Sequence, residues 1–175
     1  MTTTISSSVL PAVNNMFATL DNLLVKAAER CEATKVEQSV YLDWRMAPDM
    51  FPLATQFRFA TEIPARGLCR LAGVDIPTFS DDESSFEELR TRIEKARKII
   101  GDLDAAALDA APGNDITVPM GPELKVTFAR EAFVHEWIMP NLYFHVTAAY
   151  LILRRLGLDV GKKDYLIGLA RHIEG

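Results

Sequence analysis

The chain has 175 residues, and its 24 acidic side chains outnumber the 19 lysines and arginines, giving a formal charge of −5. Hydrophobic residues make up 49% of the sequence and charged residues 25%, which is the balance of an ordinary globular domain. The negative charge argues against a nucleic-acid partner, because proteins that bind nucleic acids neutralise phosphates with a basic surface. Because a chain of this length folds around one core, we expect one domain over residues 1–175.

The N-terminal sequence and the cysteines indicate the cellular compartment. The first 25 residues contain no Lys or Arg, so the basic region that opens a secretory signal peptide is missing. The longest uncharged apolar stretch, residues 138–153, is shorter than the ~20 residues that cross a bilayer. Cys31 and Cys69 form neither a CxxC pair nor a disulfide framework. We therefore expect a cytoplasmic protein with no membrane partner.

The spacing of apolar residues predicts an all-α fold, a four-helix bundle. Apolar residues three and four positions apart lie on one face of a helix, and four stretches show this spacing. They cover residues 9–31, about 48–72, 86–103 and about 129–156. Within residues 115–128 the period changes to two around the turn sequence Pro-Met-Gly-Pro, which predicts a short β-hairpin between the third and fourth helices.

Small polar residues, prolines and glycines set the expected ends of these helices. The serine run 6–8 supplies N-cap candidates for the first helix, and Pro11 is expected in its first turn. Ser84 and Glu87 fit a capping box at the start of the third helix. Two glycines are expected to end the second and fourth helices and two prolines to kink them, namely Gly73, Gly157, Pro64 and Pro140.

The fourth helix carries polar side chains among apolar ones. Residues 138–153 contain no charge, so this helix is either buried nearly all round or forms an oligomer interface. At about 100° per residue, one of its faces carries Glu131, His135, Asn141 and His145. Such groups need partners, a water-filled pocket or a ligand. His145 is the candidate acid/base residue, and a neutral, hydrogen-bonded core histidine is the alternative.

A second polar cluster lies at the expected start of the second helix. Asp49 suits an N-cap position, because a carboxylate there complements the helix dipole. Arg45 is expected either to pair with Asp49 or to hold a ligand carboxylate. Gln56 lies two turns further along and offers both a donor and an acceptor to the same cavity. Together with Asn141 and His135, these residues are the candidates for substrate binding.

Four segments resemble the marker segments of one protein family. They are Arg45–Leu53, Leu71–Gly73, Pro140–Arg154 and Gly161–Tyr165. The family is a domain of unknown function, DUF1993, found widely in bacteria and in some fungi, and it resembles an outlying branch of the DinB/YfiT superfamily. This resemblance implies a four-helix bundle with up-down-down-up chain order that is often a homodimer. Characterised members of the superfamily include metal-dependent thiol transferases and a mycothiol-dependent isomerase.

The superfamily resemblance also implies a metal site, which this sequence matches in part. In the superfamily, one His of the second helix and a His-x-x-x-His pair of the fourth helix surround a divalent ion. Here the pair reads Asn141 and His145, and Gln56 is the nearest polar residue of the second helix. Zn²⁺ prefers His, Cys and carboxylate ligands, so no tightly bound cofactor is expected. A site formed by His145 with Asp49 or Glu131 is the alternative.

Three hypotheses about function follow from the sequence. The first is a small-molecule pocket without a tight metal, in which His145 performs acid/base chemistry. The second is a divalent-metal-dependent enzyme of the thiol-transferase type, which the superfamily resemblance implies. The third is a non-enzymatic homodimeric scaffold that pairs through its apolar fourth helix. The sequence has no Ser-His-Asp, Cys-His or phosphate-loop pattern that would indicate the class of reaction.

Overall fold

The structure is a computed structural model that describes residues 3–110 and 115–172. Its long helices are α1 (Ile5–Thr34), α3 (Leu53–Ala72), α4 (Phe86–Gly101) and α7 (Met139–Arg155). The short helices are α2 (Gln38–Leu42), α5 (Ala105–Leu108), α6 (Arg130–Ala132) and α8 (Lys162–Tyr165), followed by a 3₁₀ segment, Ile167–His172. A π-helical segment, Phe133–Ile138, joins α6 to α7.

The four long helices form a ring around one apolar core. The α3 helix packs against α7 on one side and α4 on the other, while α1 contacts the remaining sides of α4 and α7. The first and second long helices in chain order therefore lie across a diagonal. Phe17, Phe57 and Phe133 are fully buried in the centre. This arrangement confirms the predicted four-helix bundle and places α3 directly beside α7.

The predicted hairpin is also present. Strands β1 (Ile116–Pro119) and β2 (Lys125–Phe128) pair antiparallel, with Ile116 opposite Phe128 and Pro119 opposite Lys125. Ile116 and Val118 are buried while the residues between and after them are exposed, as an alternating strand requires. The hairpin follows α5 and leads into α6, so it lies between the third and fourth long helices as predicted.

The α1 helix begins earlier than the serine run predicts. Its N-cap is Thr4, whose hydroxyl accepts a hydrogen bond from the Ser7 amide in a reciprocal capping box. Ser6 lies in the first turn, where its amide and hydroxyl both donate to the carboxylate of Asp109. Pro11 therefore lies inside the helix, and its placement in the first turn was wrong. Its missing N–H leaves the Ser7 carbonyl without an intrahelical donor.

The α3 helix begins later than predicted, at Leu53. Phe51 precedes a proline, which disfavours the helical conformation at that position, and the N-cap is Pro52. The Leu53 amide donates a hydrogen bond of 2.9 Å to the Trp44 carbonyl, which joins the two ends of the preceding loop. Asp49 lies within this loop, so its predicted capping role was wrong. The helix ends as predicted at Gly73, which adopts the left-handed conformation that favours glycine (φ 69°).

The α4 helix is capped one residue later than predicted. Ser85, not Ser84, is the N-cap, and its partner in the capping box is Glu88, not Glu87. The Glu88 carboxylate accepts hydrogen bonds from the backbone and hydroxyl of Ser84 and from Ser85, which lower its pKa. This register buries Phe86 as the first helical residue, which explains why the box forms here.

A buried arginine ties α4 to α3 and to the loop between them. The Arg92 guanidinium donates to Thr61 Oγ1 at 3.0 Å and pairs with Glu62 at 2.9 Å and Glu83 at 2.7 Å. The Glu83 carboxylate also pairs with Arg58 at 2.7 Å. A buried charge is tolerated only when it is paired and hydrogen-bonded, and Arg92 meets both conditions.

The π-helical segment changes the phase of the fourth long helix. A π-helix has more residues per turn than an α-helix, so each of its residues turns the chain by less than 100°. Glu131 and His135 are exposed, whereas His145 is buried. The prediction that these residues share one face was therefore wrong. Pro140 lies in the first turn of α7, where its missing N–H removes a donor for the preceding turn.

The α7 helix is not buried all round. Tyr143, Phe144 and Leu151 are exposed large apolar side chains on it, whereas Leu142, Val146 and five further apolar side chains are buried. Of the two alternatives for the uncharged stretch, burial nearly all round was wrong. Within the described residues, no helix has the length and hydropathy that a bilayer crossing requires.

Candidate functional site

The packing of α3 against α7 brings Gln56 and His145 together. His145 Nδ1 lies 2.8 Å from Gln56 Oε1, and both side chains are buried, with 6% of His145 exposed. Gln56 Nε2 in turn donates to the carbonyl of Phe51 at 2.9 Å. The three groups form a chain of hydrogen bonds from α7 through α3 to the loop that precedes it.

This chain of hydrogen bonds determines the tautomer of His145. A backbone carbonyl only accepts, so the Gln56 amide NH₂ must face Phe51 and its oxygen must face the imidazole. The Gln56 oxygen also only accepts, so His145 Nδ1 carries the proton. In a neutral imidazole the other nitrogen, Nε2, then presents a lone pair. The site therefore offers an oriented hydrogen-bond acceptor.

The imidazole of His145 is neutral at physiological pH. Burial lowers the pKa of His145 from its ordinary value of 6.5 to about 4, because the charged form loses its hydration there. The Gln56 oxygen is a dipole without a net charge and does not reverse this effect. At pH 7 the lone pair on Nε2 is consequently present in nearly every molecule.

Aromatic rings surround the imidazole. The rings of Phe59 and Phe144 each have their centroid 5.2 Å from that of His145, and Phe51 packs edge-on against Phe59 at 5.1 Å. Phe51 is 53% exposed and Phe144 is 57% exposed. We call Phe51, Phe59, Phe144 and His145 the aromatic cluster. It joins a buried polar group to an apolar surface that is open to solvent.

The other predicted site residues take different positions. Asn141 is half-buried one turn before His145, but its side-chain amide donates to the Trp137 carbonyl at 2.7 Å. The Asn141 side chain therefore bonds to the backbone of the preceding turn and not to the imidazole of His145. Arg45 and Asp49 are exposed in the loop before α3, and neither forms an ion pair with any residue that the structure describes.

Comparison with known proteins identifies the family. The family model described as "Domain of unknown function (DUF1993)" matches residues 6–166. The chain belongs to the DUF1993 family. This DUF1993 protein is also similar to a solved structure, the crystal structure of a DinB family member protein from Shewanella denitrificans. The two are 34% identical with a TM-score of 0.81, over 90% of this chain and 88% of the other. No curated protein matches this chain.

The residues of this DUF1993 protein do not fit the metal site that the DinB/YfiT resemblance implies. His145 Nε2 has the lone pair of a metal ligand, but the Gln56 oxygen already accepts the Nδ1–H bond. Asp49 and Glu131 are exposed on separate segments. Among the residues in 3–110 and 115–172, no group of three or more His, Cys, Asp or Glu side chains could hold a metal ion. One imidazole alone does not make a tight site.

Sequence reasoning missed the aromatic part of this DUF1993 site. Phe51, Phe59 and Phe144 come from a loop and two helices, and each reads as an ordinary apolar residue in its own segment. Their positions in the sequence relative to the polar pair could have identified two of them. Phe144 precedes His145 in the chain, and Phe59 lies one helical turn after Gln56, which places both rings beside the polar pair once α3 packs on α7.

Proposed function

We propose that this protein binds a small organic molecule with an aromatic or other apolar body and one hydrogen-bond donor. The observation that carries the proposal is the free lone pair of His145 Nε2 beside an open aromatic surface. The lone pair accepts the ligand's donor, and the exposed rings of Phe51 and Phe144 cover its apolar body. The hydrogen bond orients the ligand, and the burial of aromatic rings supplies the affinity.

The chemistry of His145 favours binding over acid/base catalysis. A proton moved from a ligand to Nε2 would create an imidazolium among aromatic rings, with the Gln56 oxygen as its polar neighbour. Burial disfavours that charge, as the low pKa of His145 shows. A base with a pKa of about 4 also gives little driving force for proton abstraction near pH 7.

Two fluorinated probes that share one ring test this proposal. 4-Fluorophenol has a ring and an O–H donor, while 4-fluoroanisole has the ring without the donor. Titration followed by ¹⁹F NMR should show tighter binding of the phenol, because only it donates to His145 Nε2. Dialysis against EDTA should leave this binding unchanged, since the proposal requires no metal. Equal affinities for the two probes would refute the role of the lone pair.

Matched variants locate the binding. His145→Phe should weaken 4-fluorophenol binding at least fivefold, whereas His135→Phe, the same change at an exposed position, should leave it unaltered. Phe144→Ala removes one ring of the aromatic cluster and should weaken both probes, while Tyr143→Ala at the neighbouring exposed position serves as its control. Equal effects of the site variants and their controls would contradict the proposal.

We propose as a second candidate that two copies pair through α7. Tyr143, Phe144 and Leu151 give this uncharged stretch an exposed apolar face, and such faces on soluble domains often mark protein contacts. A second copy suits this face because a twofold axis places the apolar face of one copy against the same face of the other. Such a contact needs no complementary charge. Light scattering coupled to gel filtration should show a dimer, and Leu151→Glu should give a monomer. A monomeric wild type at 50 µM (about 1 mg/ml) would refute this candidate.

We further propose that the protein works in the cytoplasm. Cys31 and Cys69 are both unpaired and buried, and burial raises the pKa of each thiol. Thiols of this kind persist in a reducing compartment and are poor nucleophiles. Fractionation of cells with an antibody against the chain tests the assignment, and recovery from an oxidising compartment would overturn it.

A further inference from the structure

A cleft lies between α3 and the hairpin; it shares Phe59 with the aromatic cluster, but His145 does not line it. It has a volume of about 280 Å³ and is walled by Phe59, Phe133 and Trp137, with Val118 and Pro119 of β1 on its other side. Small-molecule sites usually span roughly 300–1,000 Å³, so this cleft suits a ligand of one or two rings. We call it the hairpin groove.

The shape of the hairpin groove depends on a close approach of α3 to the π-helical segment. A Cβ atom at Gly67 would lie 2.7 Å from Ile138 Cδ1 and 3.7 Å from the ring of Phe133. Only glycine permits this spacing without a shift of the neighbours. The approach brings the aromatic rings of the π-helical segment to the same face of α3 that carries Arg66 and Arg70.

The charges in the hairpin groove are not balanced. Arg66 pairs with Glu62 at 2.5 Å, and Glu62 is also held by Arg92. Arg70 lies one turn further along α3, is half-buried, and has no ion pair or side-chain hydrogen bond among the described residues. Burial, and after it the charge of Arg66, lower the pKa of Arg70. Among the residues that the structure describes, this partly desolvated guanidinium lies beside another cation and has no anionic partner.

We propose that the hairpin groove binds an aromatic carboxylate. The carboxylate pairs with the guanidinium of Arg70, which offers two parallel N–H donors to a planar anion. The rings pack against Trp137 and Phe59, where they replace water on an apolar wall. The site differs from the aromatic cluster in the ligand that it selects, since a guanidinium requires an acceptor and His145 Nε2 requires a donor.

Calorimetry with 2-naphthoate and 2-naphthamide tests the proposal, because the two probes differ in charge and share their rings. The naphthoate should bind at least tenfold more tightly than the amide, and acetate, which lacks the rings, should give no heat. The amide resonance of Gly67 should shift in ¹⁵N NMR spectra during the naphthoate titration. Naphthoate binding no tighter than that of the amide would overturn the proposal.

Three variants complete the test. Arg70→Gln should weaken naphthoate binding at least tenfold and leave the naphthamide unaffected, whereas Arg155→Gln, on the exposed end of α7, should change neither. His145→Phe should retain naphthoate binding, so failure of this proposal and failure of the His145 proposal are distinguishable. If naphthoate binding survives Arg70→Gln, or is lost in His145→Phe, the carboxylate binds elsewhere in the protein. Either result would refute the proposal that the hairpin groove is its site.

Discussion

Acidification should destabilise the fold through His145. In the unfolded chain this imidazole titrates near its ordinary pKa of 6.5, whereas burial lowers the pKa in the folded protein to about 4. Between these two values the unfolded chain binds a proton that the folded protein does not bind. The free energy of unfolding therefore falls as the pH falls. The contribution is complete above about pH 6.5, and its loss reaches about 2 kcal/mol at pH 5 and about 3 kcal/mol at pH 4.

A comparison of variants isolates this contribution from the titration of the carboxylates. In His145→Gln the side-chain amide still donates to Gln56 but does not titrate. Urea unfolding, followed by circular dichroism between pH 7.5 and pH 4, gives the free energy of unfolding of each protein. Relative to the wild type, His145→Gln should gain about 2 kcal/mol between pH 7.5 and pH 5. His135→Gln, at an exposed histidine, should follow the wild type throughout.

Parallel stability curves of His145→Gln and the wild type across this range would contradict a lowered pKa of His145 in the folded protein. An NMR titration of the folded protein that places the pKa of His145 near 6.5 would contradict it as well. Either result would mean that water reaches the imidazole freely, and the argument for a fixed neutral tautomer would fail with it. The same titration reports the tautomer at pH 7 through the two ring nitrogen shifts.

Three further substitutions test the packing around the site. Gln56→Met leaves the His145 Nδ1–H without an acceptor and should lower the free energy of unfolding in urea by about 1–3 kcal/mol. Arg92→Met removes the cation of a buried ion network and should lower it by about 3 kcal/mol or more. Gly67→Ala forces Ile138 to move and should lower it by about 1–3 kcal/mol, visible as a lower Tm.

Matched substitutions elsewhere serve as controls. Arg97→Met removes a half-exposed pair with Asp21 and should change the free energy of unfolding by less than about 1 kcal/mol. Gly101→Ala adds a methyl group where no atom lies within 4 Å, so it should leave stability unchanged or improved. Equal losses at Arg92 and Arg97, or at the two glycines, would contradict the packing described above. A loss below about 0.5 kcal/mol in Gln56→Met would contradict its role as the acceptor.

The local elements were predictable because their signals are local. The change of period and the Pro-Met-Gly-Pro turn indicate the hairpin, and Gly73 ends α3 in the conformation that glycine favours. The predicted capping box of α4 lies one residue too early. Ser84 and Ser85 both fit the pattern, because each is followed three residues later by a glutamate. Burial of Phe86, a tertiary effect, decides between them.

The candidate site was predictable in its polar pair and not in its surroundings. The family resemblance pointed to Gln56 and His145, and the hydrogen bond between them follows from the packing of α3 on α7. The shared face of Glu131 and His145 was wrong because a periodicity argument assumes an uninterrupted α-helix. The π-helical segment breaks that assumption, and the spacing of the apolar residues does not reveal it.

The diagonal arrangement of the long helices has a consequence for how the chain folds. Within the described chain, α3 and α4 are the consecutive long helices with the more extensive contact, and Arg92 of α4 pairs with Glu62 of α3 and with Glu83 of the connecting loop. The remaining contacts of the ring, which include α1 with α7, join segments far apart in sequence, and such closures are slow because they lose more chain entropy. We therefore expect the pair of helices α3 and α4 to form first during folding. We expect the Gln56–His145 hydrogen bond of the candidate site to form later, because it requires α7 to dock on α3.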